Sequence, residues 1–252
     1  MTTDTPSLSP TAQGLAHRIT VATWVYRWGF SSDFVIQRLL QKQATGWAAH
    51  ATKRKLLRAT STASGVPRRL YTLATQGLEL ACQHAPKLLD YKEQDPLAIN
   101  QATIRHELFC QHLALSMLRG SGTKHVLSGR EWSPPAEARL KCPDFVFETP
   151  EGRKVGVEVE LSAKFGRRLD EFVGDTLNTL SDEAGFHQLD GFLIVSDIAA
   201  LLERYKLAFA AGNLLRTWKK DQRGHWRVKS ELAVRADQAR LIRYLSYKTD
   251  RL

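Results

Sequence analysis

The segment Lys154-Val-Gly-Val-Glu-Val-Glu-Leu161 constrains this chain more than any other, because its apolar and charged residues alternate strictly. Val155, Val157, Val159 and Leu161 fall on one face, and Lys154, Glu158 and Glu160 on the other. A period of two is the mark of a β-strand with one buried face. On that strand Glu158 and Glu160 project to the same side, about 7 Å apart by strand geometry. Two like charges this close destabilise a sheet unless something positive lies between them. The preceding Pro143-Asp-Phe-Val-Phe-Glu148 reads as another strand, with a turn at Pro150-Glu-Gly152. A hairpin joining 144–148 to 155–161 brings Asp144 near Glu158. Three converging carboxylates make a hard oxygen site suited to Mg²⁺ or Mn²⁺. Such an ion polarises a phosphodiester and lowers the pKa of an attacking water. The alternative is structural: both glutamates face solvent on a one-sided sheet and Asp144 caps a turn.

Around this hairpin the second half of the chain reads α-β-β-β-α-β. A long helix runs from about Asn100 to Arg119, with Ile104, Leu108, Leu115 and Leu118 on an apolar stripe. A short apolar segment follows at His125-Val-Leu127, then a Pro-rich loop through Trp132-Ser-Pro-Pro135. Beyond the hairpin come an amphipathic helix (Leu169, Phe172, Val173, Leu177, Leu180) and the strand Gly191–Val195. Further helices and a strand from Trp226 to Val234 complete it. Tyr205, Tyr244 and Tyr247 read as residues of helix-like segments. His106 and His112, six positions apart, cannot share a helix face and read as packing or solvent residues.

The first half is dominated by charge. The chain carries 36 basic and 26 acidic residues, a net charge of +10, which favours a polyanion partner. Between Asp33 and Glu79 there is no acidic residue, while Lys53, Arg54, Lys55, Arg58, Arg68 and Arg69 all fall there. Residues 1–13 are Ser/Thr/Pro-rich and read as a disordered tail. Helices follow at Gly14–Arg27, Asp33–Leu40 (capped by Ser31 or Ser32) and about Thr45–Leu57. Two extended segments then flank Gly65 and Pro67, and another helix begins near Thr75. Three helices and a basic-tipped hairpin give the order of a winged helix-turn-helix, and Arg68-Arg-Leu-Tyr-Thr-Leu-Ala-Thr-Gln-Gly77 resembles the second wing strand and following helix start of such domains. The third helix, with Trp47 and His50 near its start, would enter a major groove while Lys53, Arg54, Lys55 and Arg58 reach phosphates. Arg68 and Arg69 would meet the neighbouring backbone or minor groove. A winged domain used for protein contacts is the alternative, and Trp47 and Trp132 read as base-stacking residues or as core anchors. Residues 85–98, with two prolines and no period, separate a domain at 14–85 from one at 98–252.

Pro143-Asp144 followed by Glu158-Val-Glu160 within that strand order resembles the PD-(D/E)xK nuclease superfamily, over roughly residues 100–196. The expected fold is therefore mixed α+β, a winged helix followed by a restriction-endonuclease-like αβββαβ domain. The resemblance implies that Asp144 and Glu158 hold the metal. Its third position, usually Lys, is Glu160 here, a third candidate ligand, and Lys164 four residues on would supply the cation. Superfamily members often add a carboxylate from the first helix or the following loop; Glu107 and Glu131 match those places, and Glu131 is preferred. With Ile104-Arg-His-Glu-Leu, Arg130-Glu-Trp and Glu-Val-Glu-Leu-Ser-Ala-Lys164, the order of motifs resembles the replication-relaxation family, which includes the MobC-type relaxases of mobilizable plasmids. This implies a site- and strand-specific, Mg²⁺- or Mn²⁺-dependent DNA endonuclease acting at a plasmid transfer origin. Its partners would be the double-stranded origin, single-stranded DNA after nicking, a relaxosome accessory protein and a coupling protein. The rival is a non-catalytic origin-binding protein or transcriptional regulator with a degenerate nuclease fold.

Other classes are disfavoured. No Walker-type Gly-x-x-x-x-Gly-Lys exists to power DNA melting. No two histidines lie two positions apart, and the earliest tyrosine, Tyr26, sits inside a helix, unlike the commoner His- and Tyr-dependent relaxases. No run approaches the ~18 apolar residues of a membrane span. The start lacks the basic and apolar regions of a signal peptide. Cys82, Cys110 and Cys142 are too scattered for a disulfide framework or a Cys-based zinc site, which fits a cytoplasmic protein.

Overall fold

The computed structural model describes residues 9–42, 46–89, 101–134, 140–181, 185 and 187–249, with the side chains of 101 and 102 left out. The class is mixed α+β, and contacts divide the chain into Met1–Leu115 and Ser116–Arg251.

In the first unit, α1 spans Pro10–Trp28 and so takes in residues 10–13, which the sequence reading assigned to a disordered tail. Two local signals start it: Ser9 Oγ accepts from Ala12 N at 3.3 Å, and Pro10 occupies the first turn, where a missing N–H costs nothing. After Gly29 come β1 (Ser31–Ser32) and α2 (Asp33–Leu39), capped by Ser32. The next helix, α3 (Trp47–Lys53), ends before the expected Leu57. Lys55 adopts φ +55° and turns the chain into β2 (Leu57–Ser61), which pairs antiparallel with β3 (Arg69–Leu73). β1 pairs with the other edge of β3, giving the order β1-β3-β2. Two residues are too few to show a period, so β1 is invisible in sequence. α4 (Thr75–His84) packs so closely on this sheet that a Cβ at Gly77 would lie 2.0 Å from Leu56 O. The core is Val21, Val25, Tyr26, Ile36, Leu57 and Tyr71 with their neighbours.

The contact division falls inside α5 (Gln101–Arg119), whereas the expected junction was 85–98; residues 90–100 lie outside those described. Buried Gln111 explains the difference. Its amide donates to Phe30 O at 2.9 Å, and its Oε1 accepts from Trp24 Nε1 at 2.9 Å and Ser31 Oγ at 2.8 Å. A buried amide with these three bonds ties the helix firmly to the N-terminal core. His112 stacks on Phe34, as a packing residue would.

The second unit continues with β4 (His125–Ser128), α6 (Gly129–Trp132), β5 (Phe145–Glu148), β6 (Lys154–Val159), α7 (Arg167–Thr179) and β7 (Gly191–Ser196). It ends with α8 (Ala199–Ala208), β8 (Leu214–Lys220), β9 (Trp226–Ala233), α9 (Ala236–Ala239) and β10 (Ile242–Ser246). The main sheet has the order β10-β7-β6-β5-β4. The short turn after β5 makes β5–β6 antiparallel, while the α7 crossover makes β6–β7 parallel. β10 adds parallel to β7, a pairing no sequence signal announced. Tyr244 therefore lies in a strand and Tyr247 just beyond it; of the three C-terminal tyrosines only Tyr205 is helical. Phe172, Val173 and Leu177 of α7 pack with Phe192, Ile194 and Tyr205 in the core. β8 and β9 form a separate two-stranded ribbon. The three cysteines are free thiols, and among the described residues no helix is long and apolar enough to cross a membrane.

Candidate functional site

The β5–β6 register sets Phe145 opposite Val157, which carries Asp144 to the mouth of the hairpin beside Glu158. Two backbone bonds fix it there. Asp144 N donates to Val157 O at 3.0 Å, and Asp144 Oδ2 accepts from Val159 N at 2.7 Å. From the other side Gly129 N donates to Asp144 O at 2.9 Å, an approach so close that a Cβ at Gly129 would sit 2.6 Å from Pro143 O. Glu158 and Glu160 are 5% and 3% exposed, so the alternative of two solvent-facing glutamates fails.

Buried carboxylates need partners, and two lysines supply them. Lys141 Nζ lies 2.8 Å from Glu158 Oε1, while Lys164 Nζ lies 4.0 Å from that oxygen and is hydrogen-bonded to Glu160 Oε1. Both ammonium groups hang over the Phe172 ring, at 5.8 and 4.5 Å from its centroid. The Lys141 loop is pinned to α7, its N–H within 2.8 Å of Thr179 Oγ1 and 3.2 Å of Asp175 O. The Lys164 backbone is held by Arg204, whose Nε donates to Lys164 O at 3.0 Å. Glu160 is held from three more directions. Tyr205 donates its hydroxyl to Oε2 at 2.9 Å, Ser196 Oγ donates to the Glu160 carbonyl at 2.7 Å, and Glu160 N donates to Val195 O at 2.8 Å. Both side-chain oxygens of Glu160 thus carry protein donors. Glu158 differs, since its Oε2 is buried with no hydrogen-bond partner among the described residues.

The electrostatics follow from this crowding. Burial, and then the Asp144 charge, push the Glu158 carboxyl up to about 7 against the pull of Lys141 and Lys164. Burial lowers Lys164, with a further push from Lys141, although Glu158 and Asp144 oppose it. Lys141 also suffers burial, but Glu158 and Asp144 outweigh it and hold its pKa above the ordinary value. Burial pushes the Tyr205 phenol up to about 12.

The other expected acids have partners of their own. Glu131 is buried in a capping box, its Oε2 accepting from Ser128 N at 2.7 Å and Ser128 Oγ at 3.0 Å. Glu107 belongs to the N-terminal unit, its carboxylate 3.5 Å from His106 Nδ1. Trp132 is a core residue with Lys154 over its ring. Trp47 is half-buried against the N-terminal core, whereas His50, Lys53, Arg54, Lys55, Arg58, Arg68 and Arg69 are exposed on and after α3 and along the β2–β3 hairpin. Sequence reasoning missed Lys141 and the Tyr205–Glu160 bond. Lys141 stands three residues before Asp144, a proximity that could have flagged it, but it lies in a loop without period. No family model matches the chain, and no curated protein or solved structure matches it.

Proposed function

We propose that this protein is a metal-dependent DNA-nicking endonuclease whose site centres on Asp144 and Glu158. The observation that carries the reading is Glu158 Oε2, a buried carboxylate oxygen without a donor among the described residues, beside the second carboxylate of Asp144. Leaving such an atom bare costs stability, and hard oxygen donors of this kind suit Mg²⁺ or Mn²⁺. Asp144 and Glu158 would hold the ion, which would supply positive charge to a phosphodiester and lower the pKa of water. Glu160, committed to Lys164 and Tyr205, acts as a positioning anion. It keeps the Lys164 ammonium beside Glu158, where Lys164 and Lys141 present positive charge to a phosphate. Tyr205 and Tyr244 fit a nucleophile's role poorly, because burial raises both to about 12 and the Tyr205 hydroxyl already donates to Glu160. Water is the better candidate, leaving 3′-hydroxyl and 5′-phosphate ends.

The N-terminal unit supports a winged-helix reading: three helices ahead of the hairpin, a three-stranded sheet and a row of exposed cations on α3 and the hairpin. These cations would bind duplex phosphates and position the strand to be cut. The motif order that resembles the replication-relaxation family supports a plasmid transfer origin as the substrate, with relaxosome and coupling proteins as partners. One feature favours the non-catalytic rival: Lys141 and Lys164 already neutralise much of the carboxylate charge. The test is incubation of supercoiled plasmid carrying a transfer origin with the protein, with and without Mg²⁺ or Mn²⁺. Open circles formed only with the metal support the enzyme, and intact supercoils despite retarded DNA support the rival.

A further inference from the structure

The β8–β9 ribbon is the most exposed element of the C-terminal unit, and the site described above does not use it. The ribbon is rooted on α7. Leu215 is buried, Trp218 Nε1 donates to Asp170 Oδ2 at 2.9 Å, and the Arg167 guanidinium stacks 4.0 Å from the Trp226 ring centroid. This anchoring holds the ribbon at a fixed angle to its unit. Every residue of β9 is nevertheless exposed.

The ribbon's charge is one-sided. Residues 214–233 contain six basic and two acidic residues. Lys219 and Arg227 are direct cross-strand partners, an arrangement of like charges that costs stability in a sheet. Asp221 lies 3.3 Å from Arg227 Nε and offsets part of that cost. The bulge at Thr217/Trp218 leaves Lys229 outside the register, exposed two residues along the strand from Arg227. The cationic excess that Asp221 leaves uncompensated on this exposed surface is complementary to a polyanion. Shape narrows the choice. Two strands about 5 Å apart and about 25 Å long fit the B-form major groove, about 12 Å wide, which admits a two-stranded ribbon. The deep, narrow major groove of A-form RNA does not.

We propose that the β8–β9 ribbon is a duplex-DNA contact in its own right, lying in the major groove with Lys219, Arg227 and Lys229 toward the phosphates. It rests on the DNA-binding half of the proposed function and is independent of cleavage. The test is fluorescence anisotropy of the full chain on duplex DNA across a salt series. It compares the parent with Lys219→Ala/Arg227→Ala/Lys229→Ala and with an equal-charge control, Arg240→Ala/Arg243→Ala/Lys248→Ala. Each lost phosphate contact lowers the log–log slope by roughly 0.9, so the ribbon variant should lose roughly 2 to 3 units of slope. The control should lose less than one. If the parent binds DNA and the ribbon variant keeps its slope, or the control loses as much, the ribbon is not a contact. If the ribbon substitutions weaken binding to duplex RNA of the corresponding sequence as much as binding to DNA, groove docking is wrong. If the parent binds no DNA, this inference and the DNA-binding reading fall together, whereas a parent that binds but never nicks removes only the enzyme reading.

Discussion

The two units place charge in opposite ways. In the N-terminal unit the cations stand in water: Lys53, Arg54, Lys55, Arg68 and Arg69 are all exposed. In the C-terminal unit the key charges are buried: Glu158 and Glu160 lie behind Phe172 with two lysines drawn in to meet them. Exposed cations are screened by salt and suit a long polyanion whose counterions they displace. Buried charges interact strongly, shift one another's pKa and suit chemistry at a single bond. The exposed cations of the N-terminal unit thus suit a polyanion, and under the proposed function the buried cluster of the C-terminal unit acts on a phosphodiester.

The largest effect that could break this division lies in the buried cluster. Asp144→Asn and Glu158→Gln should each reduce metal-dependent nicking by about a thousandfold while leaving DNA affinity within about twofold of the parent. Nicking assays and anisotropy on the same preparations separate the two. Normal nicking by both variants would move the chemistry elsewhere. Next in size, Lys53→Ala/Arg54→Ala/Lys55→Ala should flatten the salt dependence by roughly 2 to 3 log–log units, roughly 40-fold in affinity between 50 and 200 mM salt. An unchanged slope would take α3 out of the interface.

Smaller effects sharpen the contrast. Tyr205→Phe removes the hydroxyl that donates to Glu160 and should cost about 1.5–3 kcal/mol, read by calorimetry as a lower melting temperature. The last effect is a pH dependence. The folded state holds the Glu158 proton up to about 7, and the unfolded chain releases it near the ordinary value of 4.5. Folding is therefore progressively opposed as pH rises from about 4.5 to about 7, where the unfolded state ionises first. Glu158→Gln cannot titrate, so its melting temperature relative to the parent should climb across that window and level off above it. A flat difference would mean that Glu158 ionises normally in the folded protein.

Much of this contrast was legible in the sequence, for reasons that differ by element. The alternation of Val155, Val157 and Val159 fixed β6, the turn at Pro150-Glu-Gly152 fixed its hairpin, and together they brought Asp144 to Glu158. The spacing of Leu169, Phe172, Val173 and Leu177 marked α7. What stayed hidden was non-local. Lys141 reaches Glu158 from a loop because Thr179 and Asp175 pin its backbone, and no period records that. β10 is an edge strand, and its Arg243 and Tyr244 do not advertise a strand. Gln111 looked like any polar residue of a long helix until three buried partners showed it to be a strut of the N-terminal unit. The Glu131 carboxylate, the preferred additional acid in the sequence, followed the shorter-range rule of the capping box.

The central claim, that Asp144 and Glu158 form a divalent-cation site, is tested most directly by calorimetric titration of Mn²⁺ into the parent and into Asp144→Asn/Glu158→Gln. Saturable binding at one site per chain in the parent, absent from the double variant at the same concentrations, is the expected result. Equal binding by both proteins, or none by the parent, would contradict the claim and leave the cluster as a buried salt-bridge network.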